Sequence, residues 1–258
     1  MSEENERLFD LTGKVAVVTG GSRGIGAAIV RGFAAAGADV VIASRKLENC
    51  EELAAEIEQT TGRRALPLAC HVGRWDECDR LVESVYATFG RCDVFVNNAG
   101  MSPLYPSLEA ITEEYYDKVQ SVNLKGPFRL SALVGTRMAA GEGGSIINVS
   151  TIGSLRPGAS ALVYCAVKAG LNALTVGLAE AFGPKVRANA ILPGSVLTDI
   201  SLAWTEEQRV NAGRGVPLRR AGEAEDFVGT ALWLASSASA WVTGVLVRVD
   251  GGAYRQTS

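Results

Sequence analysis

Seven short apolar runs recur along the chain, at residues 14–19, 39–43, 65–70, 94–97, 145–149, 186–191 and 245–249. Stretches with helical spacing lie between them, at 24–36, 47–59, 75–89, 112–119, 127–140, 163–182 and 224–234. The runs do not alternate apolar with polar residues, as a half-exposed strand would, so each strand is covered on both faces. Right-handed crossovers then predict an α/β fold. It is a doubly wound parallel sheet of about seven strands, helices on both faces, with ligands at the carboxyl ends of the strands. A chain of 258 residues builds such a core without metal or disulfide staples. No repeat, low-complexity tract or linker interrupts it, so a single domain over 1–258 is expected. Residues 1–10 are acidic and polar and are expected to be a flexible terminus, not a secretory leader. The least regular stretch, 194–215, holds Trp204 and three glycines; a substrate lid and a plain surface helix are both open readings.

Composition narrows the chemistry. A net charge of −3 argues against nucleic acid as the main partner. No apolar run is expected to reach the ~18 residues of a membrane span, so no membrane partner is expected. The five cysteines are scattered without a CxxC, which speaks against a metal or redox site and suits a reducing, cytoplasmic setting. The single histidine, His71, has no neighbours that would complete a Ser-His-Asp triad or a metal site. Proton chemistry must lean on Tyr, Lys, Asp or Glu.

The first run leads directly into Thr19-Gly20-Gly21-Ser22-Arg23-Gly24-Ile25-Gly26 and then a helix. Glycines there permit a tight turn, close approach of backbone to a pyrophosphate, and close helix packing. The helix N-terminus offers oriented N–H donors to phosphate. A site for NAD usually has an acid about 20 residues further on, bonding the ribose 2′-hydroxyl. Here the second run ends in Ser44-Arg45-Lys46, with no acid. Arg45, the Ser44 hydroxyl and Arg23 instead suit a 2′-phosphate, favouring NADP(H) over NAD(H). A solvated surface arginine is the bland alternative.

Tyr164 and Lys168 are spaced to share one helical face. A tyrosine titrating near ~10 is a poor proton shuttle at neutral pH, and a neighbouring ammonium is expected to lower that value. The pair suits interconversion of a carbonyl and an alcohol, although YxxxK alone is a weak signal.

Taken in order, the glycine turn, Asn97-Asn98-Ala99-Gly100, Asn123 within Ser-Val-Asn, Tyr164-xxx-Lys168, Pro193-Gly194 and Asp250-Gly-Gly are highly specific together. From about residue 11 to 253 the chain resembles the short-chain dehydrogenase/reductase family, whose fold is a Rossmann-type sheet. That resemblance implies a carbonyl reductase in which Tyr164 donates the proton, while Lys168 tunes it and bonds the nicotinamide ribose. Asn123 would hold a water that links Lys168 to solvent. Gly20, Ser22, Arg23, Gly24, Ile25 and Gly26 would cradle the dinucleotide phosphates, with Ser44, Arg45 and Lys46 at the 2′ end. Asn98, Ala99 and Gly100 would lie beside the cofactor, and Pro193, Gly194, Val196 and Thr198 would bind the carboxamide.

Two positions depart from the family pattern. Where the catalytic serine is expected, 13 residues before the tyrosine, stands Thr151, preceded by Ser150. Neighbouring strand residues point to opposite faces, so Thr151 is expected to keep the hydroxyl role. At the end of the third run His71-Val72 replaces an aspartate; His71 either contacts adenine or caps the strand.

Met101, Leu104, Tyr105, Ile152, Leu155, Arg156, Val163 and Trp204 are expected to border a largely apolar substrate site. Arg156 suits a substrate anion, a subunit contact or solvent. Small residues along 165–181 would allow assembly into a homotetramer or dimer. Two other readings stay open: an alcohol dehydrogenase working in the oxidative direction, and a catalytically idle dinucleotide sensor.

Overall fold

A computed structural model describes residues 8–197 and 213–254. Seven strands form one parallel sheet in the order β3-β2-β1-β4-β5-β6-β7. They are β1 (Val15–Thr19), β2 (Asp39–Ser44), β3 (Ala65–Ala69), β4 (Val94–Asn97), β5 (Gly144–Val149), β6 (Val186–Pro193) and β7 (Leu246–Val249). The helices are α1 (Gly24–Ala35), α2 (Leu47–Thr61), α3 (Trp75–Phe89), α4 (Glu113–Gln120), α5 (Gly126–Ala140), α6 (Leu162–Phe182) and α7 (Val228–Ala235). β1 pairs with both β2 and β4, so strand order reverses beside it and opens a crevice at its carboxyl end.

Alternate residues of each strand feed two separate cores, as the pleat requires. Ala16, Val18, Val40, Ile42, Val94 and Val96 face α1 and α7, packing with Ile29, Phe33 and Leu234. Val15, Val17, Val41, Ala43 and Phe95 face α3 and α5, packing with Val82 and Leu130. Covered on both sides, the strands carry no polar face, which is why their sequence does not alternate.

Two expectations are corrected. Residues 112–119 and 127–140 read as separate helices, yet α4 and α5 join through a π-helical turn, Ser121–Lys125. Pro127 lacks an N–H and stands in the first turn of α5, directly after Gly126 closes the π turn by donating to the Ser121 carbonyl. Asn123 sits in that turn and donates from Nδ2 to the Val119 carbonyl at 2.9 Å.

The second correction concerns α6. An 18-residue window of its apolar stretch reaches a mean hydropathy of 1.5, long and apolar enough by composition to cross a bilayer. Its apolarity has a local cause. Val163, Val167, Leu171 and Leu178 are buried, and the helix packs on β6. Its outer face is made of small and apolar residues, among them Ala166, Ala173, Val176 and Gly177.

Candidate active site

A cleft of about 600 Å³ opens over the carboxyl ends of β1 to β4. Its floor is backbone. Gly20 follows β1 with φ of +63°, a conformation that L side chains rarely adopt. A Cβ on Gly26 would lie 2.2 Å from the Gly20 carbonyl oxygen and 2.5 Å from Asn98 Nδ2. Asn98 is wedged there because its Nδ2 donates to the carbonyls of Thr19 and Gly20, both at 3.0 Å. Thr19 completes the joint: its hydroxyl accepts the N–H groups of Asn98 and Ala99. α1 begins at Gly24 without a side-chain cap and without an acid in its first turn, leaving its N-terminus suited to an anion.

Ser22, Arg23, Gly24 and Ile25 line the cleft from this turn, as do Ser44, Arg45 and Lys46 from the end of β2. His71 and Val72 line it beyond β3; Asn98, Ala99 and Gly100 line it beyond β4. Among the described residues around the cleft there is no carboxylate. Asn49 lines the same end and was missed from sequence. The signal was its position in the first turn of α2, just after the Ser44-Arg45-Lys46 segment. Cys70 and Val122 were also missed, being apolar positions that read as core.

The Ser44 hydroxyl is already engaged. It accepts from the Ser22 hydroxyl at 2.9 Å and from the Cys50 thiol at 3.3 Å, and donates to the Lys46 carbonyl at 3.3 Å. To donate to a phosphate it must release Lys46. His71 has a structural role: Nδ1 accepts the Gly73 N–H at 3.2 Å, and its backbone N–H donates to Glu77 at 2.7 Å. One imidazole nitrogen is therefore occupied, while the residue still borders the cleft.

Beyond Gly100 three elements converge. A Cβ placed on Gly100 would lie 3.0 Å from Asn123 Oδ1 and 3.6 Å from Lys168 Nζ, so these two polar groups meet beside its backbone. Asn123 is fully buried. It clasps Met101, accepting its N–H at 3.2 Å and donating to its carbonyl at 2.9 Å. Both side-chain N–H groups are thus spent on the Met101 and Val119 carbonyls, which leaves only Oδ1 able to accept from a water.

Lys168 Nζ donates to the Val149 carbonyl at 2.6 Å and lies 5.8 Å from the centre of the Tyr164 ring. The pair titrates against expectation. Burial, with the Cys165 thiol adding a little, pushes the Tyr164 phenol up to about 12. Burial alone pulls the Lys168 ammonium down to about 7. Desolvation is the largest cause for both groups, since burial disfavours the phenolate and the ammonium alike. Tyr164 is therefore held as the neutral phenol, the form that donates a proton.

Thr151 and Ser150 diverge at the end of β5. The Ser150 hydroxyl is buried and donates to the Lys168 carbonyl at 3.3 Å, away from the cleft. Thr151 caps a short 3-10 turn, Ile152–Ser154, accepting the Gly153 N–H on Oγ1 at 3.2 Å. Its hydroxyl hydrogen is thereby left to be donated.

Pro193 ends β6, and Gly194 donates to the Val249 carbonyl at 3.1 Å. Val196 bridges to Gly222. Thr198 and Trp204 lie outside the described residues, as does most of the 194–215 stretch. Of the expected substrate border, Leu104 is 90% exposed, Val163 is buried, and Tyr105 bonds the start of α6 with its hydroxyl.

Comparison with known proteins places the chain in one family. A family model described as enoyl-(acyl carrier protein) reductase matches residues 20–254. The short chain dehydrogenase/reductase astE of Aspergillus oryzae is 36% identical over 96% of this chain and 97% of its own. The 3-oxoacyl-[acyl-carrier-protein] reductase FabG of Thermotoga maritima is 37% identical over 94% of this chain and 98% of its own. Among solved structures, the L-sorbose reductase of Gluconobacter frateurii, complexed with NADPH and L-sorbose, superposes with a TM-score of 0.91. It is 28% identical, with 97% of this chain and all of that one covered. This chain belongs to the short-chain dehydrogenase/reductase family of oxidoreductases.

Proposed function

We propose that the protein is an NADP(H)-dependent oxidoreductase that interconverts a carbonyl and a secondary alcohol, with Tyr164 as the acid/base. The observation that carries this reading is the convergence of Lys168 Nζ and Asn123 Oδ1 beside Gly100. Tyr164 stands one helical turn before that lysine, and Gly100 itself lines the cleft. A nicotinamide dinucleotide fits the cleft: Gly20 and Gly26 leave room where a Cβ would collide, and α1 presents an uncapped N-terminus to the phosphates. Arg23, Arg45 and Lys46 at a rim without carboxylates suit the extra phosphate of NADP(H). The dinucleotide supplies the hydride.

The chain's own residues then do the following in reduction. Thr151 donates its hydroxyl hydrogen to the substrate oxygen and orients it. Tyr164 transfers its phenolic proton to that oxygen as it gains charge. Lys168 meets the resulting phenolate with its ammonium, and Asn123 holds Met101 and the adjoining backbone in place. Pro193, Gly194 and Val196 would border the nicotinamide end. In the oxidative direction the same groups take the proton back.

NADPH consumption followed by absorbance, with a panel of ketones, aldehydes, sugars and 3-oxoacyl thioesters, tests this reading. Turnover with NADPH at least about tenfold faster than with NADH is expected, one charge-assisted contact being worth about that much. Tight NADPH binding without turnover on any carbonyl or alcohol would overturn it in favour of a dinucleotide sensor.

We also propose that the exposed small and apolar face of α6 joins subunits into a homotetramer. Sedimentation of the wild type against Ala173→Glu measures this, and a monomeric wild type contradicts it.

A further inference from the structure

Tyr164, Lys168 and Asn172 follow one another at four-residue intervals on α6 and so share one face. The third of them has no place in the reaction described above. Asn172 is only 7% exposed, and its Nδ2 donates to Ser154 Oγ at 2.8 Å. Ser154, 8% exposed, donates its own hydrogen to the Thr151 carbonyl at 2.5 Å. The Ser150 hydroxyl, 3% exposed, is shared between Ser154 Oγ at 3.5 Å and the Lys168 carbonyl at 3.3 Å. These three side chains bind the turn that carries Thr151 to the helix that carries Tyr164 and Lys168.

Packing alone does not account for them. Three buried polar side chains in a row must each be satisfied, and Asn172 Oδ1 is buried without a hydrogen-bond partner. A leucine at 172 and an alanine at 154 would fill the space without that penalty. What the polar set gives, and an apolar one would not, is a fixed height and direction for residue 151. Ser154 holds the Thr151 carbonyl while Gly153 donates to its Oγ1, so residue 151 is tied at both backbone and side chain and its hydroxyl hydrogen stays free to be donated.

We infer that Ser154 and Asn172 are positioning residues, which set the Thr151 hydroxyl against the Tyr164–Lys168 pair through a buried hydrogen-bonded strap. The inference rests on the reading that Thr151 bonds the substrate oxygen. A misplacement of even ~1 Å at a reacting group can cost on the order of 100-fold, so the strap has catalytic weight although it touches no substrate.

The test uses Ser154→Ala, Asn172→Leu and Ser154→Thr, alone and combined with Thr151→Ala, all in the full chain. Ser154→Ala and Asn172→Leu are each expected to lower kcat about tenfold while the carbonyl KM and the NADPH Kd, read by fluorescence, stay within about twofold. Ser154→Thr, which keeps the hydroxyl, restores most of the rate. In the Thr151→Ala background, Ser154→Ala costs less than about twofold more, because residues acting through one group are not additive. Additive losses, loss of NADPH affinity alongside kcat, or a fully active Ser154→Ala would each overturn the inference.

A second measurement needs no turnover. Amide hydrogen exchange over residues 151–156 is expected to speed up in both single variants, with the β1–α1 segment unchanged. Unchanged protection at 151–156 would overturn the strap itself. Full activity in Thr151→Ala would instead refute the role of Thr151, and the exchange result would then stand apart from it.

Discussion

The end of the site proposed to hold the dinucleotide is shaped by backbone, whereas the end proposed to transfer the proton is shaped by buried side chains. Around Gly20 and Gly26 the determining quantity is the absence of a Cβ, and the two side chains of the joint, Asn98 and Thr19, bond main-chain groups. Around Thr151 and Lys168 the determining quantity is a set of hydroxyl, amide and ammonium groups drawn from β5, the turn after it and α6. Backbone cradles tolerate little change of shape but carry no charge that responds to pH. The side-chain end tolerates some change of shape, and its groups are poised by burial, with Tyr164 pushed up and Lys168 pulled down. Affinity and turnover are therefore expected to separate when each end is altered.

The largest effect on cofactor affinity should come from the backbone end. Gly26→Ala places a methyl 2.2 Å from a main-chain oxygen that has no flexible side chain to yield. NADPH affinity is expected to fall by more than about 100-fold, because the helix must shift away from the phosphates it serves. Titration of NADPH fluorescence measures it; an unchanged Kd would mean that the cradle is not where the phosphates bind.

A smaller effect sharpens the same contrast at the rim. Arg45→Ala is expected to weaken NADPH by about 10- to 30-fold and NADH by less than about twofold, the worth of one charge-assisted bond to phosphate. Equal losses for both cofactors would make Arg45 a general contact, not a reader of the 2′-phosphate.

The smallest effect concerns stability and comes from the side-chain end. Lys168 titrates near 7 in the folded chain and at 10.5 when solvated, so folding disfavours its ammonium. The penalty is present in full below about pH 7, and is relieved as pH rises from there toward 10.5, where the unfolded chain alone still holds the proton. Lys168→Met leaves the Val149 carbonyl without its donor, which offsets part of the gain. Thermal unfolding of the ligand-free protein at pH 6 is expected to favour the methionine variant by roughly 1–3 kcal/mol, with the advantage shrinking toward pH 10. An advantage independent of pH would show that Lys168 is not desolvated.

How much of this was legible in the sequence follows the same division. The sheet and the cradle were readable because steric demands leave a local mark: strands covered on both faces do not alternate, and a turn that excludes Cβ atoms is written in glycine. The spacing of Tyr164 and Lys168 placed both on one helical face. Their titration was not readable, since it depends on how much of the fold closes over them, and burial reversed the expected direction for the tyrosine. The joining of α4 to α5 was hidden by Gly126-Pro127, which reads as a boundary until the π-helical turn at Asn123 is seen. The donation from Ser44 to the Lys46 carbonyl, which a phosphate would have to displace, leaves no mark in the sequence. Ser154 and Asn172 lie 18 residues apart and meet only in the folded chain.

The central claim is that Tyr164 moves the proton while the backbone cradle holds the dinucleotide. Tyr164→Phe, assayed with NADPH and the best carbonyl of the panel beside a fluorescence titration of NADPH, tests it most directly. The account predicts a rate lower by about 100- to 10,000-fold, the range for a general acid, with the NADPH Kd within about twofold of wild type. A phenylalanine variant that retains most of its rate, or loses rate and cofactor affinity together, would contradict it.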